Sequence, residues 1–240
     1  MQKIALSFAT LFFLPSVFVT SYASEVIPVT TSFKQQALGS PVYIQIFKEE
    51  RLLELYAKIG TDYRLVQSYP ICKYSGGLGP KRVEGDMKSP EGFYQVDLHQ
   101  LKPDSRFHRA INVGFPNEYD RAQGYSGRYL MIHGECVSVG CYAMTNQYID
   151  EIYTYVERAL LNGQAKVELA IYPFRMTDKN LQRHRNSTYA HFWQQLQPGY
   201  AYFNQHHQPP AVAVFNGQYM VNQATPNKNP FSNYALTKVE

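Results

Sequence analysis

Val42-Tyr43-Ile44-Gln45-Ile46-Phe47-Lys48-Glu49-Glu50-Arg51-Leu52-Leu53-Glu54-Leu55-Tyr56-Ala57-Lys58-Ile59-Gly60-Thr61-Asp62 is the stretch that sets the fold class. Val42, Ile44 and Ile46 recur at a period of two, the spacing that sends alternate side chains of a strand to one face. The charged run Lys48–Arg51 reads as a turn, Leu53, Leu55 and Ala57 resume the period, and Gly60-Thr61-Asp62 reads as a second turn. Tyr63 to Ile71 then forms a third strand, so the opening of the domain is an antiparallel meander.

Toward the C-terminus the pattern loosens. Lys73 to Asp86 is rich in Gly and Lys without apolar period and reads as a loop, and Phe93 to Leu98 as a strand. Leu101 to Gln123 is polar, contains Pro103 and Pro116, and reads as irregular. Tyr129 to Ile132 is a short apolar strand that runs straight into His133. Beyond Cys141 the period changes to that of a helix. Thr145 is a candidate N-cap, Ile149, Ile152, Tyr153, Val156 and Leu160 recur at three- and four-residue steps, and Gly163 stops the run. A strand over Val167–Phe174, helices near Asp178–Arg185 and Tyr189–Leu196, and a hairpin turning at Asn216-Gly217 complete the reading. The expected fold is α+β and β-rich, with a catalytic domain over 40–175. A helical and hairpin extension over 176–221 packs on it, and 222–240 is a flexible tail.

The N-terminus reads as an export signal. Lys3 gives the positive start, Ile4 to Thr20 is apolar with Pro15 inside it, and Ser21-Tyr22-Ala23 supplies small residues at a cleavage site, so residues 1–23 are expected to be removed. The expected location is the periplasm, with no stable membrane insertion after cleavage. The composition is globular, 45% hydrophobic and 18% charged over 240 residues. The net charge of +4 is too mild, and too scattered, to indicate a nucleic-acid partner.

The chemistry concentrates in His133-Gly134-Glu135-Cys136-Val137-Ser138-Val139-Gly140-Cys141. A thiol becomes a nucleophile when a base or cation stands beside it. His133 lies at a strand end eight residues before Cys141, and the small residues between them let the chain fold back. Gly140 frees the backbone beside the sulfur, so amides near Gly134, Ser138, Gly140 and Tyr142 are candidates to hold an oxyanion or line the substrate loop. A helix starting shortly after Cys141 would favour an acidic thiol. Two other readings stand at this point: a buried structural cysteine, and a zinc site formed by Cys72, His133, Cys136 and Cys141. Three cysteines in an exported chain suggest one disulfide, Cys72 with Cys136, and one free thiol. The Lys73–Arg82 loop offers cations to substrate carboxylates or is simply solvated, and Trp193 reads as core.

Ile132-His133-Gly134, then Ser138-Val139-Gly140-Cys141, preceded by Ser89-Pro90-Glu91-Gly92-Phe93-Tyr94, resembles the YkuD-type L,D-transpeptidases. The run Gly-Cys-Tyr-Ala-Met-Thr after a short loop is most similar to their YafK-like branch, and the likeness extends over about Ser40 to Phe174. It departs from the family pattern at Val139, where a second histidine is usual, at Ala143, where Arg or Asn is usual, and in the short His-to-Cys loop. The resemblance implies a β-sandwich or barrel with a few packed helices. It also implies a cysteine acyltransferase with Cys141 as nucleophile and His133 as proton donor and acceptor. Such an enzyme needs no cofactor or metal and acts on peptidoglycan peptide stems in cell-wall biogenesis and cell shape. Two further readings are kept: a hydrolase with the same dyad, cutting diamino-acid crosslinks or releasing wall-anchored protein, and an inactive wall-binding module. Papain-like chemistry is disfavoured because there the cysteine precedes the histidine along the chain.

Overall fold

Strand β1 (Val42–Phe47) shows why the opening period matters: all six of its residues are buried. Val42, Ile44 and Ile46 enter one core, and Tyr43 and Phe47 enter another on the opposite face. The alternation therefore sorts residues between two apolar layers instead of separating inside from outside. A computed structural model describes residues 29–222; the expected signal peptide, and the expected tail over 222–240 apart from Asn222, lie outside the described residues.

Strands β2 (Leu52–Ile59) and β3 (Asp62–Pro70) extend β1 as the antiparallel meander. On its other side β1 pairs in parallel with β9 (Val167–Tyr172), which pairs antiparallel with β4 (Gly92–Val96). The result is a mixed five-stranded sheet in the order β3-β2-β1-β9-β4. A second sheet, β5-β6-β7-β8, comprises β5 (Leu101–Ser105), β6 (His108–Asn112), β7 (Met131–His133) and β8 (Tyr142–Ala143). Its Ile111, Ile132 and Tyr142 share a core with Ile44, Leu55 and Leu169 of the first sheet and with Ile149, Ile152 and Val156 of α3 (Asn146–Leu161). Both sheets are open, so the sandwich part of the expectation holds and no barrel closes.

The opposite face of the five-stranded sheet is covered by α5 (Ala190–His206) and the hairpin β10 (Val212–Phe215) and β11 (Gln218–Val221), through Phe192, Trp193, Leu196, Tyr200, Phe203 and Tyr219. Helix α4 (Asp178–Arg183) precedes α5. Helix α1 (Val29–Ala37), which the sequence did not suggest, lies against β2 and β3.

The region expected to be irregular, Leu101–Gln123, holds β5, β6 and the short helix α2 (Glu118–Ala122). Lys102, Pro103 and Asp104 are exposed and the β5–β6 register shifts, so these strands lack the apolar period that would reveal them. Helix α5 runs a further ten residues past Leu196, through Pro198. Gly199 is needed there, since a Cβ would stand 2.5 Å from the Phe93 ring. Among the described residues no helix is long and apolar enough to cross a membrane.

Candidate active site

Strands β7 and β8 run parallel with Ile132 opposite Tyr142 and His133 opposite Ala143. Partners in register share a face, so Ile132 and Tyr142 point into the core. Met131, His133 and Cys141, one residue before Tyr142, belong to the other face. Met131 N–H points to Cys141 Sγ at 3.4 Å, and Sγ lies 3.7 Å from the Tyr129 carbonyl. Among the described residues no hydrogen bond joins the sulfur to the imidazole. The structure thus brings the thiol and the buried His133 ring to one face of one small sheet.

The imidazole is held by its neighbour. Its Nδ1 lies 2.6 Å from the Gly134 carbonyl, and the ring rests against Phe107 at 4.9 Å between centroids. A carbonyl only accepts, so Nδ1 carries the hydrogen and Nε2 keeps the lone pair. Burial lowers the His133 pKa, partly offset by that carbonyl, so the ring is neutral at neutral pH and able to take a proton. Gly134 is required by crowding, because a Cβ would stand 2.4 Å from Asn146 Oδ1. Asn146, the first residue of α3, also accepts from Glu135 N–H at 2.8 Å. Glu135 and Cys136 both have positive φ, which turns the chain back toward Cys141.

The nucleophile turn is clasped by hydroxyls. Cys141 O accepts from Ser138 Oγ at 2.7 Å and from Ser89 Oγ at 3.0 Å. Gly140, at φ +89, donates its N–H to Ser75 Oγ at 2.6 Å. Gly134 N–H donates to the carbonyls of Phe107 and Arg109. Tyr142 is fully buried and its hydroxyl donates to Pro90 O at 2.6 Å. Of the candidate oxyanion and loop residues, Gly134, Gly140 and Ser138 therefore hold the loop together, and Tyr142 stands in the core.

Burial pushes the Cys141 thiol above its ordinary range, with the Met131 N–H and the Lys81 ammonium pulling the other way. This corrects the expectation of an acidic thiol. The N-terminus of α3 is already capped, with Thr145 Oγ1 accepting from Tyr148 N–H, and desolvation is the largest influence on the sulfur.

Cys72 and Cys136 form a disulfide, with Cα atoms 5.2 Å apart across 64 positions of sequence, leaving Cys141 free. The bridge ties the end of the meander to the His133–Cys141 loop and takes two of the four thiol and imidazole ligands of the zinc reading. In the chain-entropy account a loop of that length contributes about 4 kcal/mol. Beside it, Cys72 N–H and Lys73 N–H both donate to Ala143 O, and Ala143 N–H donates to Lys73 O.

Sequence reasoning missed the device behind the Ser89-Pro90-Glu91 run. Lys48 and Glu91 are fully buried and paired at 2.8 Å. Lys48 Nζ also donates to the carbonyls of Gly79 and Ser89, and Glu91 accepts from Gly79 N–H and from Trp193 Nε1. Every strong donor and acceptor of the pair is used, as a buried charge pair requires. Trp193 thus lies in the core and also anchors this network. Lys81 and Arg82, offered as substrate cations, have protein partners: Asp86 at 2.7 Å for Lys81, and the Tyr189 ring at 5.1 Å for Arg82.

The family model described as the L,D-transpeptidase catalytic domain, YkuD, matches residues 41–169. The chain is 60% identical over 226 residues to the Escherichia coli (strain K12) protein named "Putative L,D-transpeptidase YafK", covering 93% of this chain and 92% of that protein. Among solved structures, the helical cell shape determining protein Pgp2 from Campylobacter jejuni is similar at TM-score 0.46 and 16% identity, over 78% of this chain and 80% of that one. Its K307A variant gives the same score at 19% identity, and there this chain spans 63% of the other's length. With its match over more than half of the sequence and a relative at this identity, the chain belongs to the YkuD family of L,D-transpeptidase catalytic domains.

Proposed function

We propose that this protein acts on peptidoglycan peptide stems through a thioester on Cys141. The observation that carries the reading is the shared face of β7 and β8. That register supports Cys141 and His133 as partners on one face, and the Gly134 carbonyl at 2.6 Å from Nδ1 supports the tautomer that leaves Nε2 basic. The reading requires the cysteine side chain to turn from Met131 N–H toward that nitrogen, since catalytic hydrogen bonds often form only with substrate in place. The sulfur attacks the carbonyl of the third stem residue, a diamino acid. The S–C bond forms, the amide C–N bond breaks, and His133 returns the proton to the departing amine of the terminal D-alanine. An acceptor amine then attacks the thioester, forming a new amide and restoring the thiol. The chain's own groups supply these steps without a cofactor, and the export signal read in residues 1–23 supports a periplasmic location.

A second reading, hydrolysis, is favoured by one observation. The loop before Cys141 exposes Val137 and Val139 by 52% and 65%, and Tyr129, whose carbonyl lies 3.7 Å from the sulfur, is 63% exposed. Water that reaches the thioester releases the acyl group, and the same dyad would then cut crosslinks or detach wall-anchored protein. The test supplies purified sacculi, and separately a tetrapeptide stem donor with excess acceptor amine, to the wild type and to Cys141→Ala. New crosslinked dimers formed by the wild type alone support transfer. Consumption of crosslinked or protein-bearing muropeptides without a new amide supports hydrolysis. Turnover by Cys141→Ala overturns the thioester.

A further inference from the structure

A cavity of about 720 Å³ opens between the β4–β9 edge of the large sheet and β10. Its size falls in the range of small-molecule sites. Register places Tyr43, Glu168 and Gln95 in one cross-strand row, and Phe93, two residues before Gln95, on the same face. Glu168 is only part-exposed, yet among the described residues its carboxylate makes no side-chain hydrogen bond or ion pair. Burial raises its pKa, as for a carboxylate short of counter-charge. Lys166 stands two positions before it, its ammonium holding only Gln95 Oε1 at a long 3.3 Å.

The backbone groups of the neighbouring β4 edge are spoken for. The outer edge of β4 is sealed by side chains: Asn117 Nδ2 donates to Phe93 O at 2.7 Å, Gln100 Nε2 to Gln95 O at 3.1 Å, and Phe93 N–H donates to the Tyr219 hydroxyl at 3.3 Å. An added peptide strand therefore finds these edge groups taken. What remains in the cavity is the Glu168 carboxylate with the weakly held Lys166 ammonium beside aromatic walls, and the exposed Glu118 carboxylate and Arg121 guanidinium, the latter donating to Pro116 O.

We propose that this cavity binds a small zwitterion, an ammonium and a carboxylate on one carbon, and specifically the free diamino-acid end of a peptidoglycan stem. The ammonium lies against Glu168 beside the rings of Tyr43 and Phe93, and the carboxylate takes Lys166. The identity of the stem rests on the function proposed above; the zwitterion chemistry rests on the cavity alone. The site holds a second strand of the wall while Cys141 works on the first, without contributing to the chemistry.

The test is a titration of the isotope-labelled full chain, followed by backbone amide shifts, with a synthetic stem tripeptide ending in meso-diaminopimelate. That probe lacks the bond Cys141 would cut. Saturable shifts at Gln95, Glu168 and Asn117 are expected, weakened about tenfold in Glu168→Gln and in Lys166→Met, and absent when the terminal ammonium is acetylated. Shifts confined to Met131, His133 and Cys141 overturn this site and leave the peptidoglycan reading standing. Shifts in the cavity that Glu168→Gln leaves unchanged also overturn it. Failure of sacculus turnover, with cavity shifts intact, counts against the peptidoglycan reading and not against the zwitterion site.

Discussion

Ser89 Oγ donates to the Cys141 carbonyl at 3.0 Å across 52 positions of sequence, which makes the strand before β4 a direct support of the sulfur-bearing turn. The same hydroxyl accepts from Ser75 N–H at 3.3 Å, and Ser138 shares the carbonyl. Ser89→Ala removes one of two clasps and leaves the Ser75 amide without this partner. The expected outcome is a fall in kcat of about tenfold with KM nearly unchanged, and a stability loss of about 1–2 kcal/mol. Ser89→Thr, which keeps the hydroxyl and matches the family pattern at this position, should recover most of kcat. Steady-state kinetics on a soluble stem peptide, with thermal melts alongside, decides it. A rise in KM at constant kcat would assign Ser89 to substrate binding instead.

The pH behaviour of the dyad follows from two displaced pKa values with opposite signs. His133 is shifted down by burial, so it becomes a base below the ordinary imidazole range and stays one as pH rises. Cys141 is shifted up, so the resting pair is thiol and neutral imidazole and not an ion pair. Turnover should therefore show an acid limb below about 6.5, the free imidazole value, and a broad plateau above it. Alkylation of Cys141 by iodoacetamide should remain slow across neutral pH and accelerate only on the alkaline side of an ordinary thiol. Fast alkylation at pH 6 would show a preformed thiolate and contradict the burial argument.

What the sequence made legible was local. The meander, the Thr145 cap and the Asn216-Gly217 turn, with φ of 49° and 72°, each depend on a few adjacent residues. His133 and Cys141 were legible as candidates because they lie on one short motif. The ring's partner, Gly134 O, is the next residue, yet only the conformation shows it accepting. Strands β5 and β6 were not legible, since Leu101, Ala110 and Ile111 are their only well-buried apolar residues. The length of α5 was hidden by Pro198-Gly199, although Phe192, Leu196, Tyr200 and Phe203 continue one apolar stripe across it. The Lys48–Glu91–Trp193 network joins residues 102 positions apart and has no local signal at all.

That network predicts unequal costs for its parts. Burial holds the Lys48 pKa below its ordinary range, with the Glu91 charge opposing the shift. Lys48→Met strands the Glu91 carboxylate in an interior that excludes water, at a cost of about 3–5 kcal/mol. The double variant Lys48→Met/Glu91→Gln removes both charges and keeps an acceptor for Trp193 or for Gly79. It should be more stable than Lys48→Met alone, although it carries one more substitution. Chemical denaturation of the two single variants and the double variant measures the coupling. Simple additivity of the single costs would mean that the charges act independently.

Asp120 gives the last prediction, and here the sign of a pKa shift fixes the direction of a stability change. Its carboxylate sits in the capping box of α2, accepting from Asn117 N–H and from the Tyr94 hydroxyl, both at 3.0 Å. Burial outweighs those bonds and raises its pKa from 3.8 to about 6. The folded state therefore holds the proton more tightly than the unfolded chain. Between those two values the folded state binds more protons, so stability must fall as pH rises through the window. Above it the ionised carboxylate costs about 3 kcal/mol relative to its protonated form. Asp120→Asn keeps an acceptor for Asn117 N–H and cannot ionise. Its melting temperature relative to the wild type should climb as pH goes from 4 to 7 and level off beyond. Melts of both proteins at half-unit pH steps would show this, and a difference that stays flat across the window would place the Asp120 pKa back in the ordinary carboxylate range.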